Sequence, residues 1–212
     1  MKNFMTPPVP CGFRHVSGRW DKAFTIEDVK NGNRFTWIPL GVLTENDDYL
    51  KKLSLEGYGT SYDFTKNMVN EYGGIYVSTY MACKSNDNKA IFRNKSAWTN
   101  ISFRIAKIKA RDMSKEFRGA NVRTRLLYAI EYEAIVKTIA YLSGQSIDLL
   151  TDEQFEEYGL YGMNELWSWT LTNHSEFSMK LKKANSLNEE VYASNEFFEA
   201  ASIGFRIALI VF

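Results

Sequence analysis

The sequence of 212 residues contains only two cysteines, two histidines and four prolines. Cys11 and Cys83 lie far apart and in no metal-binding or redox spacing, so we expect free thiols in a protein made in a reducing compartment, with a single bridge as the alternative. No stretch approaches the roughly 18 consecutive apolar residues of a membrane-spanning helix. The first residues also lack the apolar run of a signal peptide. We therefore expect neither membrane insertion nor secretion.

Net charge is also nearly absent, because 26 lysines and arginines face 25 aspartates and glutamates. This balance gives no general attraction to nucleic acid or to an anionic membrane, although it leaves room for a local basic patch. Hydrophobic residues make up 45% of the chain and aromatic residues 15%, which excludes a disordered chain and predicts an aromatic-rich core. We expect an extended, proline-containing arm over residues 1–10 and one domain over residues 11–212.

The order of predicted elements is strands, then helices, then strands. Alternating apolar residues predict a hairpin over residues 24–38 with a type I′ turn at Asn31-Gly32, and a further strand over 73–82. Apolar spacing predicts helices over 103–117 and 128–142, the second ended by Gly144, and Thr151 with Gln154 forms a capping box for a third. Strands over 165–170 and 204–211 flank a polar stretch. This order is typical of an α+β domain with helices against an antiparallel sheet.

Common catalytic and ligand-binding motifs are missing. The chain has no P-loop string, no Gly-x-Ser-x-Gly elbow and no Cys-x-x-Cys pair. An acidic cluster at the start of the third helix is explained by the helix dipole: Asp152, Glu153, Glu156 and Glu157. Two groups of basic residues are expected to form solvated faces, with phosphate binding as the alternative: Lys107, Lys109 and Arg111, and Lys180, Lys182 and Lys183.

Two strings in the last quarter carry a family resemblance. They are Gly-Met-Asn-Glu-Leu-Trp-Ser-Trp-Thr at 162–170 and Gly-Phe-Arg-Ile-Ala-Leu at 204–209. Together they resemble the closing half of the formylglycine-generating-enzyme (sulfatase-modifying factor) family, a branch of the C-type lectin fold. Further strings, in the same order, resemble bacteriophage and low-GC bacterial proteins: residues 10–20, 32–39, 72–78, 97–103 and 127–133. The resemblance implies a C-type lectin-like α+β fold, with twisted antiparallel sheets and two main helices.

The residues that carry the resemblance are predicted to be structural rather than ligand-binding. Tryptophans bury large surfaces, and two of them at i, i+2 point to the same side of a strand. An arginine in the closing strand is expected to tie strands or loops together through its fork of donors. The residues in this group are Trp37, Trp98, Trp167, Trp169, Gly204, Phe205 and Arg206.

The catalytic members of the resembled family oxidise a substrate cysteine with a pair of cysteines, commonly with copper, near the C-terminal end. This chain has no cysteine between Thr170 and Gly204, so the resemblance implies the scaffold without the chemistry. A related group binds iron through a histidine set, but His15 and His174 stand in unrelated contexts and are expected to have ordinary roles. Calcium would need convergent carboxylates, for which Asp47, Asp48 and Asp87 are weak candidates. We expect no enzyme activity and no cofactor or metal.

Without catalytic residues, the expected use of such a scaffold is to carry a binding surface on its loops. The polar interval 173–202 contains the candidate binding residues Tyr192, Asn195, Phe197 and Phe198, although the two phenylalanines are equally compatible with the core. We expect a multimeric virion protein of a bacteriophage, a head fibre, decoration or tail appendage that is made in the host cytoplasm. Its partners would be other virion proteins and a host-surface glycan or protein. The alternatives are a divergent formylglycine-generating oxidase and a bacterial surface-binding module.

Overall fold

The computed structural model describes residues 6–40, 68–117, 119–175, 178–186, 191–193 and 195–211. These residues form an α+β structure, as the order of elements predicted, with helices packed against sheets that are mainly antiparallel. One continuous cluster of buried hydrophobic side chains extends from Phe13 to Ile210. In the segment before the first strand, Pro7 and Pro10 are buried, and the Tyr76 hydroxyl donates to the Pro8 carbonyl at 3.0 Å. The described part of the expected arm therefore packs on the rest of the chain.

The strands form three sheets. The strands are β1 Phe13–Arg19, β2 Lys22–Asp28, β3 Arg34–Ile38, β4 Ile75–Ser78, β5 Cys83–Lys84, β6 Ala90–Ile91, β7 Val122–Leu126, β8 Trp167–Ser175, β9 Ser178–Lys182, β10 Val191–Ala193, β11 Ile203–Phe205 and β12 Ile207–Val211. A six-stranded sheet has the order β1-β2-β3-β4-β12-β7, a four-stranded sheet the order β10-β9-β8-β11, and β5 pairs with β6. The pair β11–β8 is parallel, which the sequence did not predict. The long connection through β9 and β10 gives the chain room for that crossover.

The helices follow the apolar periodicity of the sequence. They are α1 Phe103–Glu116, α2 Ala129–Ser143 and α3 Asp152–Glu157, with short 3₁₀ turns at Ile147–Leu149 and Ala184–Ser186; residues 68–72 are also helical. The predicted core positions of α1 are buried, and Gly144 ends α2 in the left-handed conformation at φ 67°. The Thr151 amide donates to Gln154 Oε1 at 2.8 Å, as the capping box requires. The three predicted helices are therefore confirmed.

The hairpin β2–β3 is confirmed, but its predicted turn is wrong. A type I′ turn needs positive φ at both central residues, and only Gly32 of that pair has it. Instead, the Asp28 carboxylate accepts hydrogen bonds from the amides of Lys30 (3.0 Å) and Asn31 (3.2 Å) and from the side chain of Asn33 (3.2 Å). An aspartate that bonds to the backbone ahead of it organises a longer turn, over residues 29–33, and removes the need for a tight one.

The polar interval 173–202 contains more strand than the sequence predicted. β8 continues to Ser175, and β9 and β10 add two antiparallel neighbours. A sheet with one buried face needs an apolar residue only at alternate positions, so a mostly polar stretch is compatible with strands. Leu181 and Ala193 supply such positions and are almost fully buried. Lys182 is also buried, and its ammonium lies 2.7 Å from the Glu133 carboxylate on α2.

The last predicted strand, over 204–211, is divided between the two large sheets. β11 pairs with β8, whereas β12 lies between β4 and β7 in the interior of the six-stranded sheet. Arg206 is the single residue between them and is fully buried. The chain passes from one sheet to the other at this residue, so the Gly-Phe-Arg string marks a junction rather than the start of one continuous strand.

The four tryptophans that were predicted to be structural lie in or against the core. Trp169 is fully buried, donates to the Ile101 carbonyl at 2.8 Å and packs edge-on to Phe103. Trp37 is also buried, while Trp98 and Trp167 are half-buried against the core cluster. Gly204 and Phe205 lie on β11, and Phe205 is fully buried.

Candidate functional site

The candidate binding residues lie mainly in the connection between β10 and β11. We call residues 195–200 the aromatic loop. The sequence left open whether the two phenylalanines belong to the core or to the surface. Phe197 is 60% exposed and Phe198 is 41% exposed, so neither ring packs into the core. Asn195 is exposed as well, whereas the side chain of Tyr192 lies outside the described residues. Two adjacent exposed phenylalanines form an apolar surface of the kind that other proteins contact.

Hydrogen bonds within the loop fix the backbone that carries these rings. The side-chain oxygen of Asn195 accepts from the Phe197 amide at 2.9 Å, and its carbonyl accepts from the Phe198 amide at 3.3 Å. Asparagine commonly closes a turn in this way, because its side chain imitates a backbone carbonyl. The turn places the two phenylalanines two and three residues after Asn195.

The start of α1 anchors the aromatic loop to the scaffold. The first amides of a helix have no partner within the helix, and the Ser102 side chain forms no capping bond here. The Glu196 carbonyl takes this role by accepting from the Arg104 amide at 3.1 Å, and the Ala200 carbonyl accepts from the Asn100 amide at 3.1 Å. The Arg104 guanidinium also lies 5.6 Å from the centre of the Phe197 ring. The loop thus supplies the hydrogen bond that a helix cap would otherwise supply, and this bond fixes the loop relative to α1.

Arg104 is a residue of this surface that the sequence analysis did not identify. Its position in the first turn of a predicted helix was visible, but nothing in the sequence placed the loop 92 residues later beside it. A guanidinium over an aromatic face adds a modest attraction, of about 0.5–1 kcal/mol at an exposed site. The pair leaves the outer side of Phe197 available for contact, since the ring remains mostly exposed.

Arg206 makes the contacts of a structural arginine. One terminal nitrogen donates to the Ser78 carbonyl at 2.9 Å and to the Thr79 carbonyl at 3.2 Å, and the other donates to the Tyr161 carbonyl. Burial lowers the pKa of Arg206 to about 10, so the side chain remains a cation at neutral pH. It therefore joins the end of β4, the loop before β8 and the junction of β11 and β12.

The two thiols differ in their surroundings. Both cysteines are free, which agrees with the expected absence of a bridge. Cys11 is exposed, whereas the Cys83 thiol is buried and donates to the carbonyls of Arg93 (3.4 Å) and Lys95 (3.2 Å). Burial raises the pKa of Cys83, which lowers the fraction of thiolate at neutral pH. Nucleophilic and metal-binding cysteines need the opposite shift.

The other candidate ligands have structural partners where they are described. His15 stacks on Phe24 at 4.4 Å and bonds to the carbonyls of Ser17 and Gly18. Asp87 accepts from the Ser85 hydroxyl at 2.6 Å. Asp47, Asp48 and the His174 side chain lie outside the described residues. Within the ranges that the structure describes, no three His, Cys, Asp or Glu side chains converge on a point suited to a metal ion.

The described side chains of this surface include an exposed aromatic pair and a neighbouring cation, which can contact another molecule through apolar and cation–π interactions. None of the helices in the described part of the chain has the length and apolar character needed to cross a membrane. Comparisons of the chain with protein-family models, with curated proteins and with solved structures found no match.

Proposed function

We propose that this chain is a non-enzymatic structural protein of a bacteriophage particle. In this proposal it is a C-type lectin-like module of a head fibre, decoration or tail appendage. It uses the aromatic loop to dock on another virion subunit or on a glycan or protein of the host surface. The observation that carries the proposal is the exposure of Phe197 and Phe198 on a loop that is hydrogen-bonded to the start of α1.

The architecture is compatible with the lectin-like part of the proposal. The two main helices, α1 and α2, pack beside twisted sheets, and the C-terminal strand β12 returns to the interior of the larger sheet. The paired strands and packed helices form a scaffold, and recognition residues are commonly carried on the loops of such a scaffold. The family resemblance supports the lectin-like scaffold, and the observed α+β topology is compatible with it.

The energetics of the aromatic loop favour an intermolecular role. Each exposed phenylalanine ring leaves apolar surface in water that a partner would bury, at about 25 cal/mol per Å². The Asn195 turn and the bonds to α1 hold the backbone in place before binding. A pre-organised aromatic anchor loses little conformational entropy on association, and this is why aromatic residues dominate binding hot spots.

The described thiols argue against the alternative of a cysteine oxidase. Oxidation of a substrate cysteine through copper needs accessible thiolates that are close together. Cys83 is buried, its pKa is raised, and its thiol donates to backbone carbonyls, while Cys11 is exposed on the turn before β1. Titration of the protein with copper and a cysteine-containing peptide tests this directly. Oxygen consumption that depends on the thiol of the peptide would indicate an enzyme and would contradict the non-enzymatic structural role.

The proposal is tested on particles. Phage are purified from a lysate of the host that carries this gene, and the chain is quantified by mass spectrometry. We expect a fixed copy number that follows the particle symmetry. Absence of the chain from purified particles, together with a monomer in sedimentation velocity, would overturn the virion assignment.

The role of the aromatic loop is tested with a double variant, F197S/F198S. The matched control is Y141S/L149S, which removes two other exposed apolar side chains, 69% and 64% exposed. If the loop docks on a virion subunit, the loop variant falls at least about tenfold in copy number per particle and the control does not. If the loop binds the host, copy number is kept but adsorption of particles to host cells falls. Wild-type behaviour in both assays removes the loop from the proposal.

A further inference from the structure

Two stacked tyrosines, formed by residues outside the aromatic loop, lie partly in contact with water. The ring centroids of Tyr80 and Tyr161 are 4.8 Å apart, and the ring planes differ by 23°. Tyr161 is 37% exposed, and Tyr80 is half-buried. Aromatic side chains gain most when they are buried, yet these two keep part of their ring surface accessible to a ligand. We call them the tyrosine pair.

Backbone hydrogen bonds hold the tyrosine pair beside the six-stranded sheet. The Thr79 amide donates to the Arg34 carbonyl at 3.0 Å, which continues the pairing of β3 with β4 by one residue toward Tyr80. The Tyr161 amide donates to the Thr79 carbonyl at 3.0 Å, and the buried Arg206 guanidinium donates to the Tyr161 carbonyl. Both backbone polar groups of Tyr161 are therefore bonded, so its ring is carried by a fixed backbone.

A row of charged side chains crosses three strands and ends beside the tyrosine pair. Arg14, Glu27 and Arg34 are paired in register across β1, β2 and β3, so their side chains project from the same face of the sheet. Glu27 accepts from Arg14 at 2.7 Å and from Arg34 at 2.8 Å. The opposite face carries Ile26 and Phe35, which lie in the core. The row therefore lies on the outer face of the sheet, where both arginines remain partly exposed.

Groups of opposite charge lie near the hydroxyls of the tyrosine pair. The hydrogen bond to Glu27 raises the pKa of Arg34, and the nearby Tyr80 adds to this rise. Burial raises the pKa of Tyr161. Glu156 adds to that rise and Arg34 opposes it, so a carboxylate and a guanidinium both lie within electrostatic range of the Tyr161 hydroxyl. A ligand on the exposed ring would therefore meet charged donors and charged acceptors of hydrogen bonds.

These groups match a neutral sugar better than an ion. The C–H face of a pyranose packs flat on an aromatic ring, and its hydroxyls both donate and accept hydrogen bonds with guanidinium and carboxylate groups. Two arginines, Arg14 and Arg34, are balanced by two glutamates, Glu27 and Glu156, so this surface has no excess charge that would select an anion or a cation. We propose that the tyrosine pair, together with Arg34 and Glu156, binds a neutral pyranose unit of a glycan.

Proline-rich peptides are another class of ligand that packs on exposed tyrosines. Proline has no backbone N–H, so such a peptide would offer few donors to Glu156, whereas every sugar hydroxyl can donate. The sugar site does not include the aromatic loop, and binding by the purified chain requires no assembly into a particle. Failure to bind sugar would therefore leave the virion proposal standing, and absence of the chain from particles would leave the sugar site standing.

Saturation-transfer NMR on the purified chain detects sugars that bind with dissociation constants near about 1 mM, the range expected for one ring on an open surface. The neutral probes are the methyl glycosides of glucose, galactose, mannose and N-acetylglucosamine, and the other probes are glucuronate and a proline oligopeptide. Y161S removes the exposed ring, and Y161F keeps it. The matched control Y141S makes the same change at an exposed tyrosine of α2. If Y161S unfolds in a thermal melt, Y161L removes the flat ring while keeping an apolar side chain.

We expect at least one neutral glycoside to bind. Y161S should weaken that binding at least about tenfold, while Y161F and Y141S should stay within about threefold of wild type. Absence of binding by every neutral glycoside would overturn the proposal, and so would equal binding by wild type and Y161S, which would place the sugar elsewhere. Tighter binding of glucuronate than of every neutral glycoside would indicate an anion site, and tighter binding of the proline oligopeptide would indicate a peptide site; either result also overturns the proposal.

Discussion

Replacement of Arg206 by methionine tests whether the junction between the two large sheets depends on this one side chain. Methionine has a similar length and fills much of the same space, but it donates no hydrogen bonds. The R206M variant therefore removes the donors to the carbonyls of Ser78, Thr79 and Tyr161 while leaving the core largely filled. Because the site is fully buried, water cannot readily replace those donors.

The expected loss of stability follows from two opposing effects. A buried carbonyl without a donor costs about 1–3 kcal/mol. Thr79 keeps the Tyr161 amide as a second donor at 3.0 Å, so the loss falls mainly on the carbonyls of Ser78 and Tyr161 and is roughly 2–6 kcal/mol in all. In the opposite direction, burial lowers the pKa of Arg206, because desolvation disfavours the charged guanidinium, and the variant no longer bears this cost. We expect a net loss of about 2 kcal/mol in the free energy of unfolding.

The measurement is urea unfolding followed by tryptophan fluorescence, since Trp169 is fully buried in the native state. With a slope of about 2 kcal/mol per M, the midpoint should fall by roughly 1 M. The control R19M removes an arginine whose side chain is 78% exposed and should shift stability by less than about 0.5 kcal/mol. The variant R206K separates charge from geometry, because an ammonium cannot span the carbonyls as the fork does. Wild-type stability of R206M, or full rescue by R206K, would refute the role of the fork.

Local periodicity made most of the helices and the first hairpin predictable. In α1 and α2 the apolar spacing and the glycine at the end of α2 depend only on residues within a few turns, so the sequence contains the whole signal. The turn between β2 and β3 was mispredicted although its residues are also close together in the sequence. Asn-Gly is a strong short-range turn signal, but the Asp28 side chain formed more bonds in a longer turn.

Contacts between distant segments were not predictable in this way. The division of the last strand at Arg206 depends on carbonyls that lie 45 and 128 residues away in the sequence. The exposure of Phe197 was left open for the same reason, since the partner that anchors its loop is the start of α1. These contacts join segments that are distant in the sequence, and no local sequence pattern indicates which distant segments pack together.

The remaining predictions concern the Glu27 carboxylate and the two thiols. Hydrogen bonds from Arg14 and Arg34 lower the pKa of Glu27 from its ordinary value of 4.5. Its contribution to stability is therefore present above about pH 4.5 and is lost as pH falls through the lower folded-state pKa. We expect E27Q to cost about 1 kcal/mol at pH 7 and to flatten the acid side of the stability–pH curve, and an unchanged acid side would contradict this. Cys11 is exposed and Cys83 is buried with a raised pKa, so a disulfide reagent should titrate one thiol in the native protein and both in urea. The variant C11S should abolish the native reaction; a fast native reaction in C11S would show that Cys83 is accessible and would reopen the case for thiol chemistry.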